Sequence, residues 1–582
     1  MQIREQLENV VDEAIRAAIA DGSLALDEAP AASLERPREA ANGDWASTVA
    51  MRSAKLAHAN PRVIAEAIVA HLPENDVVKE VEVAGPGFIN FRLSDAVLQN
   101  VVATVREQRG DFGRGTVPEG QRKVNLEYIS ANPTGPMHVG HGRWAALGDS
   151  MARVMRHAGY DVFEEFYVND HGTQMDVFGN SIAVRYLQLL GHEVEMPKEC
   201  YGGSYVTDIA RGIIDREGDR YRDMDERERV VALREIGYRE MLEDQRSLLE
   251  RFGTTFDCWF SERNLYVEDE NGQTAVSRAL AVMREKGYVY EKEDATWFAS
   301  SEFGDDKDRV LIKANGELTY FTSDMAYHYD KVCRGFDRLI DIWGADHHGY
   351  IKRCEAMMQA WGYEGMLEVV LGQLVNLLRD GQPVRMSKRT GEMVTFGELV
   401  DEVGVDATRF LMLSRSSDQP VDFDIEVAKK QDASNPVYYV QYAHARICSI
   451  LRKAAQVEGA ESMEGDAVEA QMQAPAADEL ATRVIPVGVD LSALTHESEL
   501  ALMRKIDDFG ELVALAARDR APYRLTHYAQ ELASLFHQFY TNCHIIGEEA
   551  HVQDARLALA DATRIVLALT LSLLGVSAPE RM

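Results

Sequence analysis

Two histidines follow a short bend that is rich in proline and glycine. His138 and His141 are separated by Val139 and Gly140, so on a helix both rings lie on one face. The first turn of a helix leaves backbone N–H groups unpaired and carries partial positive charge, which attracts phosphate. Glycine at position 140 lets a flat ring approach the backbone closely. The spacing therefore predicts a phosphate site, although two surface histidines in a loop are the simpler alternative.

A second candidate is the segment PVRMSKRTGE, about 250 residues later. Lys388 in this segment could follow the charge on departing phosphates, because an ammonium on a flexible stem is a mobile point charge. Thr390 and Gly391, with Gly381 nearby, predict a mobile loop. Taken alone, the segment is equally compatible with a basic surface loop. Its position in the chain after the histidine pair favours a shared site.

The pattern around the histidines predicts a strand, a turn, a helix and a second strand. Residues 123–130 are an apolar run of strand length, residues 143–160 have helical periodicity, and residues 162–170 have a strand pattern. This unit predicts a parallel sheet whose turn lies at the carboxyl end of a strand, where open α/β sheets bind ligands. Strand patterns return in RLIDIWG and EVVLGQLVNL. We therefore expect a nucleotide-binding sheet split by a mostly helical insertion at about 178–294.

Three domains are expected along the chain. Residues 1–115 predict a small α+β domain, in which Gly85, Pro86 and Gly87 mark a turn between two strands. Residues 116–435 predict an α/β, Rossmann-like catalytic domain with a parallel sheet and the helical insertion. Residues 436–582 have an almost purely helical pattern and predict an all-α domain.

Composition excludes several classes of protein. The six cysteines are scattered without a C-x-x-C pair, which argues against a disulfide framework and a cysteine-rich zinc site. No run of residues is apolar enough for a membrane span, and the N-terminus does not resemble a signal peptide, so a cytoplasmic protein is expected. The net charge of −33 argues against a broadly basic nucleic-acid surface but leaves room for a local basic face.

The two motifs together resemble the signatures of a known superfamily. HVGH at 138–141 is similar to the HIGH signature of class I aminoacyl-tRNA synthetases and related nucleotidyltransferases. MSK at 386–388 is similar to the core of their KMSKS signature, with Arg385 and Arg389 where the pattern has lysine and serine. Longer phrases resemble the arginyl-tRNA synthetase family over nearly the whole chain: LEYISANPTGPMHVGHGR, YVNDHGTQ, TYFTSDMAYHYDK, IWGADHHGYIKR, YYVQYAHARICSILRKA and ALTLSLLGVSAPERM.

The resemblance implies an ATP site built from both motifs. His138, His141 and Lys388 would be the catalytic residues. The HIGH-like motif comprises Ala131, Asn132, Pro133, Thr134, Gly135, Pro136, Met137, His138, Val139, Gly140 and His141. The implied ATP-binding residues are His138, Gly140, His141, Asp346, His347, Met386, Ser387 and Lys388. Mg²⁺ would accompany ATP, whereas the adjacent pair His347 and His348 is not expected to bind a metal, because neighbouring side chains diverge.

An arginine substrate agrees with the chemistry of other residues in the matching phrases. A guanidinium group needs carboxylates and neutral acceptors, and Tyr320, Asp324 and Tyr327 share one face of a predicted helix. The resemblance assigns Tyr320 and Asp324 to the arginine side chain, and Asn132 and Glu127 to its α-amino end. The alternatives are a helix cap for Asp324 and a core aromatic for Tyr327.

The resemblance also implies tRNA as a partner. The helical C-terminal domain would bind the anticodon, and the N-terminal domain would contact the outer corner of the tRNA. Stacking aromatics and phosphate-binding arginines suit that role, although core packing is the alternative for Phe536 and Tyr540. The candidates are Tyr438, Tyr439, Tyr442, His444, Arg446, Arg452, Arg518, Arg520, Tyr523, Arg524, Tyr528, Phe536 and Tyr540.

The expected activity is therefore arginine–tRNA ligation by a monomer, with a first step that requires tRNA. Two rivals remain. A nucleotidyltransferase that acts on a small molecule would also use an H-x-G-H turn, but would not explain the helical C-terminal region. A catalytically silent tRNA-binding relative would not need His138, His141 and Lys388.

Overall fold

The structure is a computed structural model that describes residues 3–37, 39–384, 394–459 and 476–582. Lys388, Met386 and Ser387 of the second motif lie outside the described residues. All six cysteines are free. Within the described ranges, no helix is long and apolar enough to cross a membrane.

The N-terminal region combines helices with an antiparallel sheet in the order β1-β2-β4-β3. Its elements are α1 (Ile3–Ala20), β1 (Leu34–Glu35), β2 (Trp45–Ser47), α2 (Val49–Ser53), α3 (Pro61–Ala70), β3 (Val78–Ala84), β4 (Phe88–Leu93) and α4 (Asp95–Gln108). Gly85 and Gly87 both have positive φ in the turn between β3 and β4, as the sequence predicts. Helix α1 buries Leu7, Val11 and Ile15 because they recur at helical spacing along one face.

The central region is built on a five-stranded parallel sheet in the order β12-β11-β5-β6-β7. Its elements are β5 (Lys123–Glu127), α5 (Val139–His157), β6 (Asp161–Val168), α6 (Thr173–Leu189), α7 (Ser204–Glu217), α8 (Glu226–Arg251), β7 (Cys258–Ser261), α9 (Ala275–Glu285), β8 (Val289–Lys292), β9 (Ala295–Phe298), β10 (Arg309–Ile312), α10 (Tyr320–Cys333), β11 (Arg338–Gly344), α11 (Ile351–Trp361), β12 (Leu367–Gly372), β13 (Val375–Arg379), β14 (Gln382–Pro383), α12 (Phe396–Val403), α13 (Val405–Met412), β15 (Val421–Asp424) and α14 (Ile425–Ala428). The predicted α/β class with a parallel sheet is confirmed.

The stretch at 178–294 is more than a helical insertion. Helices α6, α7 and α8 lie between β6 and β7, but β7 then returns to the main sheet beside β6. Strands β8, β9 and β10 form a separate antiparallel sheet. The four-residue strand Cys258–Ser261 is too short for its pattern to separate strand from helix, so only its pairing partner identifies it.

The C-terminal region is helical, as predicted. Its elements are α15 (Pro436–Gly459), α16 (Ala477–Val484), α17 (Glu497–Arg518), α18 (Tyr523–Asn542) and α19 (Ala550–Leu573). One buried apolar cluster runs continuously from α1 through the central sheet and α5 into these helices. The three regions therefore share a core, and α5, which carries the histidine pair, is anchored from both sides.

Arg409 of α13 ties the regions together at a fully buried position. Its guanidinium donates to the carbonyls of Leu574 at 2.9 Å and Phe252 at 3.0 Å and pairs with the Asp149 carboxylate of α5. One side chain thus connects the C-terminal helices, the end of the insertion and the helix of the histidine pair.

Replacement of Arg409 by Met should lower the free energy of unfolding by about 3–5 kcal/mol, because the buried Asp149 carboxylate loses a partner. The exposed Arg62, which pairs with Glu66 at 3.1 Å, is the matched control, and Arg62→Met should cost less than about 1 kcal/mol. Urea unfolding of both variants measures the difference. Equal losses of unfolding free energy in the two variants would show that Arg409 does not hold the regions together.

Candidate active site

The histidine pair lies where the chain leaves β5 and enters α5. His138 is the N-cap residue, with an extended backbone, and its N–H donates to Nδ1 of His141 at 3.2 Å. The two rings are stacked with their centroids 3.7 Å apart. The two histidines must be three residues apart because, in a capping box, the side chain of the N3 residue accepts a hydrogen bond from the backbone N–H of the N-cap residue. Here N3 is His141 and the N-cap is His138.

Gly140 is needed for this stack. A Cβ atom at position 140 would lie 2.9 Å from Cε1 of His138. Trp144 stands one turn further along and lies 5.5 Å from the His141 ring, centroid to centroid. Its indole also covers the end of β12, where a Cβ on Gly372 would come within 2.3 Å of it. The histidine pair is therefore held over the carboxyl edge of the parallel sheet.

Burial makes His141 a neutral ring at ordinary pH. Removal from water, reinforced by the nearby His138, lowers the pKa of His141 to about 3. A neutral imidazole can donate or accept one hydrogen bond without adding a permanent charge. This ring is suited to polarise a phosphate oxygen.

A second turn leaves the same edge of the sheet. Residues 345–350 form a short 3₁₀ helix directly after β11, which is paired with β5. Asp346 and His347 are exposed in this turn, and Nε2 of His347 lies 3.7 Å from Oδ2 of Asp346. His348 is also exposed. Over the described ranges, no group of three histidine, cysteine or acidic side chains could hold a metal ion.

The region that follows the second motif contacts the histidine turn. Thr395 forms an isolated bridge with His138, and the N–H of Phe396 donates to the Met137 carbonyl at 2.9 Å. A capping box between Thr395 and Glu398 fixes the start of α12 at this point. The residues that follow the Lys388 segment in the chain therefore lie beside the histidine pair.

The first five residues of α10 include Tyr320 and Asp324. Tyr320 is 74% exposed. The Asp324 side chain lies deeper, where the Tyr350 hydroxyl donates to Oδ2. Burial raises the pKa of Asp324 above its ordinary value and outweighs the opposing effects of the Tyr350 hydrogen bond and the nearby His328.

A second carboxylate, Glu262, was not foreseen from the sequence. It opens the 3₁₀ turn Glu262–Tyr266 after β7, is 6% exposed, and accepts from the Tyr266 hydroxyl at 3.1 Å. Burial raises the pKa of Glu262, and the negative charge of Asp324 adds to the effect. Among the described residues, neither carboxylate has a lysine or arginine nitrogen within 4.0 Å; His171 reaches Glu262 at that limit. Two neighbouring acids whose pKa values are raised by burial, one of them also by the charge of the other, favour the binding of a cation.

Glu127 and Tyr327 lie below this pocket, in the interior. Glu127 accepts from the Lys331 ammonium at 2.6 Å and from the Ser130 hydroxyl at 2.8 Å. Tyr327 is 3% exposed and donates to Glu165 at 2.8 Å, as the core-aromatic alternative requires. Direct contact of either residue with a substrate stays a prediction.

Asn132 lies in the loop before the histidines, which the insertion helices hold in place. Its amide donates to Gln174 of α6 at 2.9 Å, and its carbonyl accepts from Gln245 of α8 at 3.1 Å. Tyr205 of α7 donates to the Thr134 carbonyl at 2.8 Å. No sequence signal connects these three distant positions to the loop, because their role depends on how the helices pack.

The predicted tRNA-facing residues divide into exposed and buried groups. Tyr438 and Tyr442 are stacked 6.4 Å apart on α15, with Tyr442 41% exposed. The guanidinium of Arg446 lies over the ring of Tyr540 at 5.0 Å. Core packing accounts for the residues that are fully or nearly buried. These are His444, Arg520, Tyr528 and Phe536.

The chain matches three family models in sequence order. Residues 5–93 match the arginyl tRNA synthetase N-terminal domain, residues 107–448 match the catalytic domain of class I (R) tRNA synthetases, and residues 440–582 match the DALR anticodon binding domain. The chain belongs to the arginyl-tRNA synthetase family. The catalytic match contains both histidines, Asp324 and Glu262.

Full-length relatives agree with this family membership. The chain is 46% identical to an arginine–tRNA ligase of Heliobacterium modesticaldum, over 100% of this chain and 99% of the relative. It is 44% identical to an arginine–tRNA ligase of Bacillus subtilis, with 100% of both chains covered. The structure of an arginyl-tRNA synthetase from Thermus thermophilus has a TM-score of 0.69 at 22% identity, covers 99% of this chain and 100% of that chain, and shows a shared fold.

The low pKa of His141 makes folding sensitive to acid. The unfolded chain protonates this histidine near its ordinary pKa of about 6.5, whereas the folded protein does so at about 3. Between these values the unfolded state binds more protons, so the free energy of unfolding should fall as pH is lowered, by about 1 kcal/mol per pH unit.

His141→Asn should therefore show a shallower loss of stability than the native protein between pH 7 and pH 5 in urea unfolding. His551, an exposed histidine on α19, provides the matched control, since His551→Asn should leave the slope unchanged. An unchanged slope in His141→Asn would contradict a neutral buried ring.

Proposed function

We propose that this protein is an arginine–tRNA ligase, which activates L-arginine with ATP and transfers it to the 3′ end of tRNA(Arg). The observation that carries the proposal is the pair of buried carboxylates, Asp324 and Glu262, with no lysine or arginine partner among the described residues. A guanidinium ion satisfies two such acceptors with its fork of N–H donors. Family membership supports the same substrate.

Arginine would enter with its side chain toward these carboxylates. The exposed Tyr320 stands at the start of α10, four residues before Asp324, and would cover the guanidinium. Asn132, held by the insertion helices, and Glu127 would face the α-amino end of the substrate. In this orientation the carboxylate of the substrate would point toward the histidine turn.

ATP would bind over the edge of the sheet between the two turns. His138, Gly140 and His141 would contact its phosphates, while Asp346 and His347 would line the adenosine side. Lys388, with Met386 and Ser387, would join the site because Thr395 meets His138 only a few residues later. Mg²⁺ would enter with ATP, held largely by phosphate oxygens.

The reaction requires positioning and charge stabilisation rather than a protein nucleophile. An oxygen of the arginine carboxylate attacks the α-phosphorus of ATP, the bond to the β-phosphate oxygen breaks, and pyrophosphate leaves with its electron pair. The neutral His141 and the Lys388 ammonium would stabilise the charge on the phosphates. A ribose hydroxyl at the tRNA 3′ end then attacks the mixed anhydride and releases AMP.

The tRNA would contact the domains at 1–115 and 436–582, outside the catalytic domain at 116–435. The stacked pair Tyr438 and Tyr442, of which Tyr442 is exposed, is suited to hold unpaired bases. Adenylate formation would require bound tRNA, as the family resemblance implies. We further propose a cytoplasmic monomer.

Pyrophosphate exchange into ATP tests the activity. Each amino acid is assayed with and without tRNA, and exchange is expected with arginine only, and only when tRNA is added. No exchange with arginine and tRNA would overturn the proposal. Exchange driven by a molecule other than an amino acid would favour a small-molecule nucleotidyltransferase, and tRNA binding without exchange would favour a silent relative.

Asp324→Asn should raise the KM for arginine about a hundredfold, because a buried charge pair with the substrate is lost. The KM for ATP should change little, since the adenosine and phosphate contacts are separate. Glu317→Gln, at an exposed position just before α10, removes the same charge and is the matched control. Equal increases in the KM for arginine and the KM for ATP in Asp324→Asn would mean that this residue does not bind the arginine side chain specifically.

A further inference from the structure

A buried histidine lies directly beneath the proposed arginine pocket. His328 of α10 is 4% exposed, and both ring nitrogens face acceptors. Nδ1 is 2.8 Å from the main-chain carbonyl of Asp324, and Nε2 is 2.9 Å from Oδ2 of Asp341 on β11. A carbonyl oxygen can only accept, so Nδ1 must carry a proton.

The second nitrogen also faces a charged acceptor. Oδ1 of Asp341 accepts from the Lys331 ammonium at 2.8 Å. Although burial opposes ionisation, the pKa of Asp341 lies below its ordinary value, and the Lys331 ammonium is the largest cause of that lowering. Asp341 is therefore a carboxylate with no proton to donate, and Nε2 of His328 must carry a proton as well.

We propose that His328 is a positioning residue, held as an imidazolium beneath the pocket, that orients the Asp324 backbone and keeps its carboxylate ionised for the guanidinium. The inference rests on the proposed function, because it treats Asp324 as the arginine contact. His328 itself acts through Asp324. It is four residues further along the same helix, so its ring reaches the carbonyl one turn back.

An imidazolium at His328 adds positive charge to a region that is rich in buried carboxylates. Four buried carboxylates lie in this region, and Lys331 and the imidazolium of His328 provide positive charge beside three of them, Glu127, Asp324 and Asp341. The carboxylates are Glu127, Glu262, Asp324 and Asp341. With a neutral ring, Asp324 would lose a positive charge that lowers its pKa, and proton uptake by its carboxylate would become easier.

The surroundings of His328 agree with this assignment. Burial lowers its pKa, but Asp341 and the Asp324 carbonyl outweigh burial and Lys331, so the net shift is upward. The titratable groups around His328 and Asp324 come from seven elements or turns. They are Asp341 of β11, Glu127 of β5, Tyr167 of β6, Glu262 and Tyr266 of the turn after β7, Lys331 and Tyr327 of α10, Cys354 of α11, and Tyr350 and His347 of the turn between β11 and α11.

His157 provides a comparison within the same chain. It is also buried, but its contact is with a single acceptor, the Phe112 carbonyl at 2.9 Å from Nε2. Burial lowers the pKa of His157. The two histidines therefore differ in the number of acceptors rather than in burial.

The first test is ¹⁵N NMR of the full chain with labelled histidine, assigned with His328→Gln and His157→Gln. At pH 7.5, about one unit above the ordinary histidine pKa, His328 should show two protonated ring nitrogens and His157 only one. One unprotonated nitrogen in His328 would overturn the proposal. If His328→Gln does not fold, neutron diffraction from crystals of the native chain reads the two protons directly.

The second test is the pH dependence of arginine use in His328→Gln. Loss of the cation should raise the pKa of Asp324, so the KM for arginine should rise about tenfold as pH falls from 8 to 6.5. The native enzyme and His157→Gln should change little over this range. A flat profile in His328→Gln would overturn the inference, whereas absence of arginine-dependent exchange in the native enzyme would overturn the proposed function instead.

Discussion

The Lys331 ammonium lies between the carboxylates of two neighbouring strands, at 2.6 Å from Glu127 and 2.8 Å from Asp341. Parallel pairing places these residues opposite each other across β5 and β11, so their charges would repel without a cation. A buried ion pair with one partner missing is strongly destabilising. The strand register, the position of α10 and the depth of the pocket therefore all depend on this contact.

The ion pairs of Lys331 also affect the charge at Asp324 and Glu262. Lys331 is fully buried and pairs with Glu127 and Asp341, so Asp324 and Glu262 have no lysine or arginine partner among the described residues. The excess of acid over base across the chain is thus not merely a property of its surface. Part of it is buried where a cationic substrate would complete the charge balance.

The histidine turn is held by contacts of a different kind from the ion pairs around Lys331. The histidine turn depends on a capping box, one glycine and the indole of Trp144, all within α5 or its first contacts. The loop before it depends on distant helices, through Gln245 and Tyr205. The insertion can therefore influence Asn132 while the histidine stack stays in place.

Local sequence determined the βαβ unit, the histidine turn and the helical C-terminal region, because apolar periodicity and cap residues act within a few positions. It also placed Asp324 and Tyr320 on one face of a helix. The family resemblance determined the expected substrate. These features need no knowledge of what packs against them.

Tertiary structure decided the rest. Strand β7 is recognisable only beside β6, and Glu262 becomes part of the pocket only because β7 ends next to α10's first turn. His328 and Lys331 look like ordinary helix residues until β11 brings Asp341 against them. The physical reason is that pKa values, burial and ion pairing depend on neighbours that are distant in sequence, whereas helix periodicity depends on neighbours that are close.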